Sequence, residues 1–102
     1  MIIATRIYTI NAENREQAVA AMNKEVQIAR QMSGIITHGF YADVDDPTII
    51  RFYGEFETVE ALEAQIKSQH KVHFNEAIAE LGVKLSPGTV SMYTAVPEYP
   101  FN

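Results

Sequence analysis

Two hydrophobic periods alternate along this chain, and their order admits few folds. Ile2 to Ile10 is rich in Ile, Thr and Tyr, residues that suit a pleated surface, and Asn11 closes it. From about Asn14 to Met32 the period changes: Val19, Met22, Val26 and Ala29 recur three or four residues apart, the spacing of an amphipathic helix. Asn11 or Asn14 is a candidate cap for its start, and Ser33-Gly34 ends it where glycine can turn left-handed. Gly34 to Asp43 and Thr48 to Glu57 return to β composition. The polar connector Val44-Asp45-Asp46-Pro47 between them predicts a hairpin.

A second helical region follows, with Thr58 as N-cap and Val59, Leu62 and Ile66 on one face. The pattern restarts near Ser68, so a break is expected over Lys67 to Gln69. His70, Phe74, Ala77, Ile78 and Leu81 then form a stripe that Gly82 closes. After Ser86-Pro87-Gly88, Thr89 to Val96 reads as the last strand and Pro97 to Asn102 as a tail. The expected fold class is α+β: a ferredoxin-like split β-α-β arrangement with an antiparallel four-stranded sheet and helices on one face, all in one domain over residues 1–102.

The alternate sets of the first strand are Ile3, Thr5, Ile7, Thr9 and Ile2, Ala4, Arg6, Tyr8, Ile10, and both contain apolar residues. One helical layer covers only one face. A second copy laying its sheet against the other is the economical solution, so a homodimer through the sheet face is expected.

Composition closes several routes. The chain has 102 residues and no cysteine, which removes disulfides, thiolate metal ligation and a cysteine nucleophile. A net charge of −5 with scattered basic residues argues against nucleic acid and anionic membranes as partners. No apolar run approaches the ~20 residues of a membrane span. The first residues lack the pattern of a secretory signal, so the expected location is cytoplasmic. Glycines sit singly, without a phosphate-binding loop or a nucleophile elbow, so no nucleotide cofactor is expected.

His70 is the first candidate for chemistry, because it begins an inward stripe and an inward imidazole needs a partner. Two roles stay open for it: satisfaction by the backbone against the sheet, or proton exchange with a bound ligand. His73, three residues on, has no third ligand near it in sequence, and no metal is expected. His38, on the second strand, carries the same ambiguity as His70. Asp43, Asp45 and Asp46 lack the glycine and distal glutamate of a calcium loop and read as a solvated turn. Arg51 and Tyr53 share one side of the third strand with Glu55. Tyr8, Tyr41 and Tyr93 are strand aromatics that could line a pocket for a flat ligand or fill a core or interface.

Gly54-Glu55-Phe56-Glu57-Thr58-Val59-Glu60-Ala61-Leu62, followed by Ser68-Gln69-His70 and Phe74, resembles the antibiotic biosynthesis monooxygenase family of dimeric α/β barrel proteins. The resemblance implies a ferredoxin-like protomer whose sheet packs on a second copy, often with the C-terminal strand or tail reaching across. It also implies oxygenation of a small aromatic or quinol-like substrate without metal, flavin or haem, with His70 at the family's histidine. Arg51, Tyr53, Phe56, Phe74 and Tyr41 are the expected substrate-binding residues. Phe56 stands where many members have tryptophan, and Gln65 where many have histidine. Haem-degrading relatives place an asparagine on the first strand where this chain offers Thr5 and Arg6, so haem degradation is not expected. A non-catalytic module binding a small hydrophobic ligand is the other expectation for this fold.

Overall fold

A computed structural model describes residues 1–86 and 91–95 of the chain. Its strands are β1 (Ile2–Thr9), β2 (Ile35–Ala42), β3 (Ile49–Phe56), β4 (Lys84–Leu85) and β5 (Ser91–Thr94). Its helices are α1 (Arg15–Ala29), α2 (Val59–Ile66) and α3 (Gln69–Glu80), with a 3-10 turn over Ala12–Asn14 ahead of α1. The sheet is antiparallel, in the order β2-β3-β1-β4, and β5 also pairs with β1. This is the ferredoxin-like α+β fold.

The expected fourth strand is divided. Tyr8 pairs with Leu85 and Ile3 with Tyr93, so β4 and β5 occupy two lengths of the same β1 edge. Pairing begins before the Ser86-Pro87-Gly88 sequence, because Val83 N–H bonds Ile78 O at 3.1 Å and Ser86 N–H bonds Ile7 O at 2.9 Å, steering the chain onto β1 directly after α3. Thr89, Val90, Val96 and the tail 97–102 lie outside the described residues.

Local signals set most boundaries. Gly34 and Gly82 adopt φ of 82° and 73°, which side chains with a Cβ resist. Thr58 Oγ1 accepts from Ala61 N–H at 3.1 Å, and Ser68 Oγ accepts from Lys71 N–H at 3.3 Å, so each helix of the broken pair has its own cap. Asn14 stands at the N-cap of α1 but makes no side-chain cap bond there. Its amide instead donates to Leu81 O at 3.0 Å, tying the start of α1 to the end of α3.

The helices cover the β1 set containing Ala4 and Tyr8. Ala4, Tyr8, Ile50, Phe52 and Phe56 from the sheet meet Met22, Leu62, Phe74 and Ile78 from the helices. Burying one such large apolar side chain contributes roughly 1.5–3 kcal/mol. Within this core Tyr8, Phe40, Phe52 and Phe74 pack edge-on or tilted, at centroid separations of 5.5 to 6.3 Å. Val59 and Ile66, expected on the inner face of α2, are exposed. The helix is turned so that Leu62 and Gln65 are buried, and Ala61 packs over Gly34.

The opposite sheet face mixes exposed aromatic and aliphatic groups (Ile7, Tyr41, Tyr93) with Thr37, Arg51 and Glu55. Among the described residues no helix is long and apolar enough to cross a membrane.

Candidate functional site

Helices α1 and α3 lie side by side over the sheet and bring two distant side chains together. His70, at the first turn of α3, sets Nδ1 at 2.9 Å and 3.1 Å from the two carboxylate oxygens of Glu25 in α1. The Glu25 side chain is 1 % exposed and that of His70 17 %. Gln65, at the end of α2, donates from its amide to Glu25 Oε1 at 3.0 Å and is itself buried. A carboxylate taken out of water needs such donors, because burial without them costs several kcal/mol. Nε2 of His70 lies 3.1 Å from the thioether sulfur of Met32, in the turn after α1.

His70 also forms part of the wall of a cleft of about 180 Å³ between α1 and α3, shared with Ala21, Glu25, Ile28, Phe74 and Ala77. Lys24 and His73 complete the lining. The arrangement offers an imidazole with one nitrogen anchored to a buried carboxylate, beside apolar and aromatic surface. That is the equipment for taking a proton from a weakly acidic ligand.

The residues expected around His70 divide between two sides of the sheet. Phe74 lines the same cleft, and Phe56 is fully buried beneath the helices. Arg51 and Tyr53 lie on the opposite face, because odd-numbered positions of β3 point away from Ile50, Phe52 and Phe56, and Tyr41 of β2 joins them there as the cross-strand partner of Arg51. There Arg51 pairs with Asp43, and Tyr53 donates to Glu55 at 2.7 Å, a bond that holds its phenol proton and raises its pKa. A separate groove of about 460 Å³ on that face includes Thr5, Ile7, Arg51, Tyr53, Ser91 and Tyr93. The structure therefore does not bring these three residues to His70.

Glu25 is not among the residues singled out from sequence, although it follows Met22 by three and precedes Ala29 by four, which puts it on the buried stripe of α1. A charged residue at an inward position was the available signal.

Two more polar groups enter the interior. His38 is 2 % exposed, with its ring 4.7 Å from that of Phe52, and its Nδ1 has no hydrogen-bond partner. Burial, with Lys71, Arg30 and His70 nearby, lowers its pKa to about 4, so it is neutral at physiological pH. Lys71 lies 4.6 Å over the Phe74 ring and 3.5 Å from the Tyr8 hydroxyl. Burial lowers the Lys71 pKa to about 8 and raises that of Tyr8 to about 12.

His73 is exposed and contacts the Gln69 amide at 3.0 Å. Among the described residues no group of three or more His, Cys, Asp or Glu converges as a metal site would require. In the aspartate turn Asp43 accepts from Arg51 and from Asp46 and Asp45 N–H, and Asp46 accepts from Thr48, which holds both carboxyls below their usual pKa.

The antiparallel sheet with helices packed on one face places the chain among the ferredoxin-like α+β proteins. Within that class the chain belongs to the antibiotic biosynthesis monooxygenase family, whose pattern matches residues 1–80. Among solved structures, a Deinococcus radiodurans protein assigned to the antibiotic biosynthesis monooxygenases superposes with a TM-score of 0.91 at 16% identity, over 100% of this chain and 99% of that one. SnoaB, described as a cofactor-independent oxygenase of Streptomyces nogalater, gives 0.83 at 10% identity over 98% and 97%. A Nitrosomonas europaea protein assigned to the same type gives 0.80 at 16% identity over 94% and 99%. These identities speak for the fold. No curated protein matches the sequence.

Proposed function

We propose that this chain is a cofactor-independent monooxygenase that oxygenates a small phenol or quinol to a quinone with O2. The observation that carries the proposal is the placement of His70 on the wall of an apolar cleft with one ring nitrogen anchored. Family membership supports the reaction class, and the description of SnoaB as a cofactor-independent oxygenase supports the absence of a cofactor. The cleft limits the substrate's size. An apolar cavity of roughly 150 Å³ holds one benzene ring, so about 180 Å³ suits a single-ring phenol.

In the proposed reaction the phenolic O–H bond breaks, its proton passes to Nε2 of His70, and the electron pair stays on the substrate. The electron-rich anion reduces O2, and a C–O bond forms at a ring carbon that bears a hydrogen, para to the phenolic oxygen in a simple phenol and ortho to it in a hydroquinone. The peroxide takes back the proton held by His70. Loss of the hydrogen on that carbon, with cleavage of the O–O bond, releases water and leaves a quinone carbonyl. One oxygen atom ends in the product and one in water, and the substrate supplies every electron. Phe74 and the aliphatic wall contribute stacking area and exclude water.

The test is oxygen uptake by the purified protein with a panel of single-ring phenols and hydroquinones. Turnover that falls at least ~100-fold in His70→Ala is expected of a general base. Uptake at background for the wild type across the panel, or equal rates for both proteins, would overturn the proposal. Tight binding without turnover would favour a ligand-binding module.

The proposal includes a homodimer formed through the sheet face that the helices leave open. Ile7, Tyr41 and Tyr93 on that face are 41%, 55% and 57% exposed, apolar surface that a second copy would cover.

A further inference from the structure

An imidazole serves as a base only through the nitrogen that carries no proton, so the direction in which His70 works depends on its tautomer. Nδ1 faces both oxygens of Glu25, at 2.9 Å and 3.1 Å, in a place where the carboxylate is 1 % exposed. A bare nitrogen there would set its lone pair against two carboxylate oxygens with little solvent to screen them. A protonated nitrogen donates to both. The Gln65 amide holds Oε1 at 3.0 Å, which fixes the carboxylate without neutralising it. On the other side, among the described residues, Nε2 meets a thioether, Met32 Sδ at 3.1 Å, and in neutral imidazole a lone pair there receives no proton from sulfur.

We propose that Glu25 is a positioning residue for His70: its carboxylate holds the imidazole in the Nδ1–H tautomer and leaves Nε2 as the nitrogen that takes the proton of a substrate hydroxyl. When Nε2 takes the hydroxyl proton, the carboxylate is already in place to stabilise the imidazolium. Gln65 serves as the brace for Glu25, with a neutral donor that leaves the negative charge available to His70. That a phenol supplies the hydroxyl rests on the monooxygenase proposal; the tautomer does not.

The experiment reads both. Long-range proton–nitrogen correlation spectra of uniformly labelled protein, with the His70 signals assigned by their loss in His70→Ala, report which nitrogen bears the proton. The wild type is expected to show Nδ1–H as the dominant neutral form. In Glu25→Gln, whose amide can donate as well as accept, the Nε2–H form is expected to appear as a second population, and in Glu25→Asp to stay absent. Oxygen uptake is expected to lose at least ~100-fold in kcat in Glu25→Gln, with KM within about twofold, since the lost interaction acts on proton transfer. Glu25→Asp is expected to recover most of that rate. A wild type dominated by Nε2–H, or a Glu25→Gln protein with unchanged tautomer, overturns the positioning role. The expected tautomers in a wild type that consumes no oxygen with any phenol would support the role of Glu25 and sink the monooxygenase proposal alone.

Discussion

Glu25 and His70 are 45 residues apart in sequence and 2.9 Å apart in the fold, where they form a carboxylate–imidazole pair between α1 and α3. The carboxylate has left water almost completely, so its stability depends on the two donors it meets there, His70 and Gln65.

Removing one partner leaves a buried charge short of a donor. His70→Ala is expected to lower the unfolding free energy by about 2–3 kcal/mol, below the full range for a buried ion pair because the imidazole is partly solvated. In a Glu25→Gln background the same substitution is expected to cost about 1 kcal/mol, since no charge is abandoned. Urea denaturation of the four proteins of this cycle measures the coupling, and equal costs in both backgrounds would contradict it.

His38 predicts an acid-sensitive fold. Its pKa falls from an ordinary 6.5 to about 4 on folding, so between those values the unfolded chain binds a proton that the folded one refuses. Its contribution is therefore intact above about pH 6.5 and declines as pH drops toward 4, to a total of about 3 kcal/mol. The comparison that isolates it is the unfolding free energy of wild type minus that of His38→Leu across that range, which should fall as pH falls. A constant difference would refute the assignment.

Lys71 acts at the alkaline end with the same sign. Its folded pKa of about 8 lies below the ordinary 10.5, so stability should rise as pH climbs through that interval. Tyr8 opposes it higher up: with a folded pKa of about 12, its contribution is present below pH 10 and lost as pH rises toward 12. Thermal melts of Lys71→Met should lack the rise between pH 8 and 10 that the wild type shows.

Gly34 and Gly82 should differ sharply when replaced by alanine. Both have positive φ, but a Cβ on Gly34 would stand 2.6 Å from the Cβ of Ala61, whereas one on Gly82 would meet the movable amide of Asn11 at 2.8 Å. Gly82→Ala is expected to cost about 1 kcal/mol and Gly34→Ala at least ~2 kcal/mol, because α2 must shift as well. Chemical denaturation ranks the two, and the reverse order would be a clear failure.

The proposed dimer rests on the open sheet face. Sedimentation at micromolar concentration should give twice the protomer mass for the wild type and a monomer for Ile7→Asp, a charge placed among groups that the core does not use. A monomeric wild type would end the dimer proposal without touching the His70 site.

The sequence by itself determined what depends on neighbours along the chain. The order of elements follows from period. Thr58 and Ser68 cap where short hydroxyl side chains precede helices, and Gly34 and Gly82 turn left-handed where only glycine does so readily. The aspartates of 43–46 fold the hairpin turn with their own carboxylates. Even the break between α2 and α3 is local, because Ser68 starts a helix of its own.

Tertiary structure decided which groups share a side of the sheet and what His70 touches. Strand alternation shows that Arg51 and Tyr53 face away from Phe52 and Phe56, yet both residue sets of β1 carry apolar side chains, so parity alone does not say which face the helices cover. Docking α1 and α3 over Tyr8 settled it: Phe74 came to line the His70 cleft, and Tyr41, Arg51 and Tyr53 went to the far side. The Glu25 partnership was hidden for the same reason. It exists only because two helices separated by a hairpin pack in one register, and no short-range rule couples residues 45 positions apart.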